Sequence, residues 1–65
     1  MRILFNGASR EIRAADLSGA LTELGYADAV VATAVNGEFV PVTDRPTARL
    51  TEGDRIEVLA PMQGG

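Results

Sequence analysis

Val30-Val31-Ala32-Thr33-Ala34-Val35, then Asn36-Gly37, then Glu38-Phe39-Val40-Pro41: the fold turns on this passage. Asn-Gly supplies the two residues that accept positive φ in a type I′ turn, the tight link between two antiparallel strands. Strands are therefore expected over residues 30–35 and 38–40. Pro41 has no amide to give to a ladder, so it ends the second of them or lies on an unpaired edge.

Upstream, Asp16 precedes Leu17, Ala20, Leu21 and Leu24. Their i, i+3, i+4, i+7 spacing puts all four on one helical face. Asp is a favoured N-cap and Gly25 suits the left-handed position just past a helix end, so both ends are marked. Gly19 inside the helix costs on the order of 1 kcal/mol relative to Ala, so this helix has to lean on tertiary packing. Residues 2–6 (Arg-Ile-Leu-Phe-Asn) read as a first strand closed by Gly7. Arg10-Glu11-Ile12-Arg13 reads as an exposed edge strand returning antiparallel, because one apolar residue stands among charges.

Downstream, residues 41–50 read as a polar connection containing Pro46, with no regular element. Glu52-Gly53-Asp54 is a turn, and Arg55-Ile56-Glu57-Val58-Leu59 alternates as a last strand with Ile56 and Val58 inward. The order is hairpin, helix, hairpin, strand. One helix on one face of a mixed sheet of four to five strands buries Ile3, Phe5, Leu17, Leu21, Leu24, Val35, Val40, Ile56 and Val58 together. Pairing the first and last strands as parallel neighbours protects both in the sheet centre. This α+β arrangement is the β-grasp, or ubiquitin-like, fold, expected over residues 1–59 with a flexible tail over 60–65.

Sixty-five residues make one small domain. With 46% apolar and 23% charged residues, the chain lacks the signature of disorder. Six arginines against nine carboxylates leave a net charge of -3, so the basic footprint that nucleic acid or anionic lipid requires is missing. Without Cys or His there are no disulfides, no nucleophilic thiol and no usual zinc ligand set, which argues against a self-sufficient enzyme. Glu52 and Asp54 are too few to hold a metal and are expected to serve the turn, so no metal is expected. No apolar run approaches the ~20 residues that span a bilayer, and the opening does not read as a signal peptide; a cytoplasmic location is expected.

The sequence ends in Gly64-Gly65. Six residues beyond the last strand reach ~20 Å when extended at ~3.3 Å each, far enough to enter another protein's active site. Glycine admits close backbone approach, so such an end threads a channel too narrow for side chains. A free α-carboxyl has a pKa near ~3.5 and is a poor electrophile at neutral pH, so it needs activation. An acyl-adenylate provides a good leaving group, after which a sulfur nucleophile can attack and leave a thiocarboxylate at Gly65. No P-loop and no cysteine are present to do this in the chain itself, so the catalytic groups have to come from partners.

The chain resembles the ThiS family of sulfur carriers of thiamine biosynthesis, over essentially its whole length. The resemblance rests on Met1-Arg2-Ile3-Leu4-Phe5-Asn6-Gly7, Ala34-Val35-Asn36-Gly37-Glu38-Phe39-Val40-Pro41, Glu52-Gly53-Asp54-Arg55-Ile56 and Gly64-Gly65. It implies a carrier that is not itself an enzyme and binds no cofactor. Its Gly65 would be adenylated with ATP by a ubiquitin-activating-type enzyme, thiocarboxylated with sulfur from a cysteine desulfurase route, and used by thiazole synthase. Gly64 would provide clearance in the channel. For the docking face, Leu4 alternates with inward Ile3 and Phe5, Leu59 follows inward Val58, and Met62 lies on the tail; Phe39 fits either the core or that face. Exposed apolar groups beside a reactive end suggest a partner surface. Two relatives of this reading are a sulfur carrier for molybdopterin synthesis, disfavoured by the short chain, and a ubiquitin-like protein modifier. A plain interaction module with an incidental diglycine is the remaining alternative.

Overall fold

Two Asn-Gly turns shape the sheet of the computed structural model, which describes residues 1–60. Asn36 and Gly37 take φ of 51° and 85°, and Asn6 and Gly7 take 48° and 86°. Both pairs thus meet the type I′ requirement, and each joins two strands with no further loop. Asn6-Gly7, the first along the chain, joins β1 (Arg2–Phe5) to β2 (Ala8–Glu11). The second joins β3 (Ala32–Val35) to β4 (Glu38–Val40), the rungs being Val35 with Glu38, Ala34 with Phe39 and Thr33 with Val40. With β5 (Arg55–Leu59) they form one five-stranded sheet in the order β2-β1-β5-β3-β4. β5 lies at the centre, parallel to β1 and antiparallel to β3. This is the ubiquitin-like β-grasp, with the first and last strands side by side as the sequence predicts.

The helix α1 (Leu17–Glu23) covers one face and buries Leu17, Ala20 and Leu21. The Asp16 carboxylate accepts from the Gly19 amide at 2.7 Å, capping the free donors of the first turn. At the other end Tyr26 donates its amide to Leu21 and Gly25 donates to Thr22, with Gly25 at φ 95°; this is the Schellman arrangement that a C-terminal glycine permits. Gly19 has a packing reason as well, since a Cβ there would stand 3.1 Å from the Ala14 Cβ.

Four details depart from the sequence reading. First, residues 41–50 are not irregular: Val42–Thr47 form a 3₁₀ helix, which Pro46 tolerates because short 3₁₀ turns place few demands on its missing amide. Second, β2 starts at Ala8 rather than Arg10, directly after the Asn6-Gly7 turn, and β3 starts at Ala32, leaving Val30 81% exposed. Third, Ile12 is buried. Its amide and the Met1 carbonyl, and the Met1 amine and the Ile12 carbonyl, extend the β1–β2 ladder by one rung, and alternation turns Ile12 toward the helix. Fourth, Leu50 is buried because the Leu17 amide donates to Ala48 and the Leu50 amide to Ala15, lacing this segment to the start of α1. The core is thus Ile3, Ile12, Leu17, Ala20, Leu21, Leu50, Ile56 and Val58, while Phe5, Leu24, Val35 and Val40 are half-buried against it.

At the start of β5 the turn is stitched by Asp54. One carboxylate oxygen accepts from the Thr51 amide at 2.8 Å, the other from the Thr51 hydroxyl and the Asn36 side-chain amide at 3.0 Å each. Asp54 therefore serves the turn, with its bonds spent on neighbours. No helix among the described residues is long and apolar enough to cross a membrane.

Candidate functional site

The face of the sheet opposite α1 carries three exposed apolar groups, Leu4, Phe39 and Leu59. Alternation along β5 sends Ile56 and Val58 to the helix and leaves Arg55, Glu57 and Leu59 on the other side. The rungs then set Ala32 beside Leu59, and Ala34 between Glu57 and Phe39. Phe39 is 68% exposed and Leu59 72%. Between these two large side chains the short ones of Ala32 and Ala34 leave a depression, rimmed by Asn6 and Glu57. Leu59 and Ala32 continue into an adjoining apolar groove with Val30, Val31 and Ala60. That groove lies where the last strand ends.

The polar groups near the depression are mostly spent. Asn6 donates its backbone amide to the Ile56 carbonyl at 2.9 Å and then turns into the left-handed region; at the next step its side-chain amide takes over, accepting from the Val58 amide at 2.9 Å and donating to the Val58 carbonyl at 3.3 Å. The Thr33 hydroxyl points into the core and donates to the Val40 carbonyl at 2.9 Å. Among the described residues, the exposed Glu57 carboxylate remains available on the rim. Small-molecule sites need several convergent polar groups, whereas an apolar hollow with one charge at its edge suits a side chain presented by another protein.

Of the residues singled out in the sequence, Phe39 and Leu59 come together in this surface, and Phe39 belongs to the outer face rather than to the core. Leu4 shares the face and is 38% exposed, but it is flanked by Ser9 and Arg55 and does not line the depression. Met62, Gly64 and Gly65 lie outside the described residues. Ala32 and Ala34 were not foreseen, although the Asn-Gly register already pairs Ala34 with Phe39. The part played by Asn6 has no signal in the sequence, since it depends on β5 arriving in parallel from the far end of the chain.

Comparison with known proteins adds to this geometry. The ThiS family model matches residues 3–65. The crystal structure of a thiamine biosynthesis protein (ThiS) from Geobacter metallireducens is similar over 100% of both chains, with 28% identity and a TM-score of 0.84. A solution structure of a thiamine biosynthesis protein from the same organism is similar over 100% of this chain and 88% of its own, with 26% identity and a TM-score of 0.78. No curated protein matches the sequence. ThiS proteins are small sulfur carriers rather than enzymes. By the match over nearly its whole length, the chain belongs to the ThiS family.

Proposed function

We propose that this chain is a sulfur carrier of thiamine biosynthesis whose C-terminal carboxyl is the working group and whose folded body is the part that partner enzymes recognise. The Gly65 carboxylate attacks the α-phosphorus of ATP in a ubiquitin-activating-type enzyme and pyrophosphate leaves. The terminal sulfur of a persulfide, supplied along a cysteine desulfurase route, then displaces AMP, and a thiol cleaves the resulting acyl disulfide. A thiocarboxylate remains on Gly65 and passes its sulfur to thiazole synthase. Gly64 gives the backbone clearance that entry into the adenylation channel requires.

One observation carries this reading. The apolar surface of Phe39, Ala34, Ala32 and Leu59 ends at Leu59–Ala60, the point from which the sequence runs on to Gly64-Gly65, and this supports a docking face next to the start of the working end. Leu4 and Met62 complete the proposed docking set. The thiamine route is favoured over the molybdopterin one because the two similar structures described above are of thiamine biosynthesis proteins.

ATP–pyrophosphate exchange with a ThiS-adenylating enzyme tests the proposal. The full chain is expected to support exchange, and a chain lacking Gly64 and Gly65 to support none. Phe39→Asp is expected to raise the KM for the carrier roughly tenfold, as loss of an interface anchor worth more than ~1 kcal/mol does, with an unchanged melting temperature. Equal activity of the truncated chain would contradict the proposal.

A further inference from the structure

β4 stops at Val40 because Pro41 has no amide and the chain passes into the 3₁₀ helix, which leaves β3 one rung longer than its partner. Val35 and Glu38 flank a two-residue turn and so exchange backbone hydrogen bonds. Odd residues near β3 therefore aim their backbone groups toward β4, and even residues toward β5. The Val31 carbonyl faces the place where the amide of residue 42 would stand if β4 continued. Arg45 fills that place. Its Nη2 donates to the Val31 carbonyl at 2.6 Å and its Nε donates to the Thr33 hydroxyl at 3.1 Å, which in turn donates to the Val40 carbonyl.

Thr33 is 2% exposed and is the buried polar residue of the described core. Among the described residues no carboxylate is ion-paired with Arg45. The guanidinium thus acts as a hydrogen-bonding fork, reaching two acceptors that a single ammonium cannot span equally well. What it holds matters for the other end of the ladder. β1 accompanies β5 only as far as Ile56, and the Asn6 side chain reaches Val58; at Leu59 the remaining neighbour is Ala32, an even residue whose backbone faces β5.

We propose that Arg45 is a positioning residue for sulfur carriage: it replaces the missing rung at Val31, keeps the first residues of β3 in register against Leu59, and so fixes where the chain leaves the sheet toward Gly65. The use made of that fixed exit rests on the function proposed above; the clamp itself does not. Lysine preserves the charge but loses the fork, and methionine loses both.

Arg45→Met and Arg45→Lys, compared with the unaltered chain at a temperature where all three are folded, test it by two readouts. Removing a charged hydrogen-bond donor is expected to speed amide exchange at Ala32 and Leu59 roughly tenfold in Arg45→Met, while the amides of Leu4 and Asn36 keep their rates. The KM for the carrier in ATP–pyrophosphate exchange is expected to rise about fivefold with kcat little changed, and Arg45→Lys to fall between. Uniform acceleration across the sheet would reduce Arg45 to a general stabiliser and overturn the proposal, as would selective acceleration with an unchanged KM. If the unaltered chain supports no adenylation at all, the functional reading fails instead, and the exchange pattern alone decides whether the clamp exists.

Discussion

Asp54 shows how much one side chain does in a chain this short. Its carboxyl is held below the ordinary value of 3.8, chiefly by the Thr51 amide; burial opposes this, and the Asn36 and Thr51 side chains lower it further. A carboxylate with a depressed folded pKa adds stability that is present above the unfolded value and is lost as pH falls through the folded one. Melting temperature is accordingly expected to drop between about pH 5 and pH 2, and Asp54→Asn to flatten part of that drop while lowering the melting temperature at pH 7. Parallel pH profiles of the two proteins would show that this carboxylate is not responsible. The turn was legible in Glu52-Gly53-Asp54 because glycine and aspartate have local turn chemistry; the bond to Asn36 was not, because it joins this turn to the β3–β4 turn, 18 residues away.

The elements with local causes were the ones the sequence showed. Capping at Asp16, the glycine after Leu24 and the Asn36-Gly37 turn each depend on neighbours within a few residues, and each stands where expected. Asp16→Ala removes the acceptor of the Gly19 amide and is expected to cost about 1 kcal/mol. In a domain of this size that is a fall of roughly 4–8 °C in melting temperature. A fall of less than a degree would mean that packing of Leu17, Ala20 and Leu21 holds the helix without its cap. The 3₁₀ helix was hidden for the opposite reason: Val42–Thr47 has no apolar period, and it takes its place from what surrounds it, with Arg45 bound to β3 and Leu50 laced to α1. Ile12 was misread because charges on both sides make a strand look exposed on both faces, whereas alternation needs only one inward residue to bury it.

Taken as a whole molecule, the chain divides its labour along β5. The end that begins at Arg55 is tied to the second hairpin by Asn36 and to β1 by the Leu4 amide, which donates to the Asp54 carbonyl, and the end that finishes at Leu59 carries the exposed apolar surface. Composition pointed to this division early, since a chain without Cys or His leaves little chemistry to the body. It did not reveal the shape of the proposed docking surface, because the depression arises from two small residues on β3 set between large ones on the neighbouring strands. The central claim is that Gly65 is the site of chemistry and the body its address. Intact mass measured after incubation with a ThiS-adenylating enzyme, ATP and a persulfide donor with excess thiol tests it most directly. The account predicts exchange of one oxygen for sulfur, located by fragmentation at Gly65; an unchanged mass, or a modification on any other residue, would contradict it.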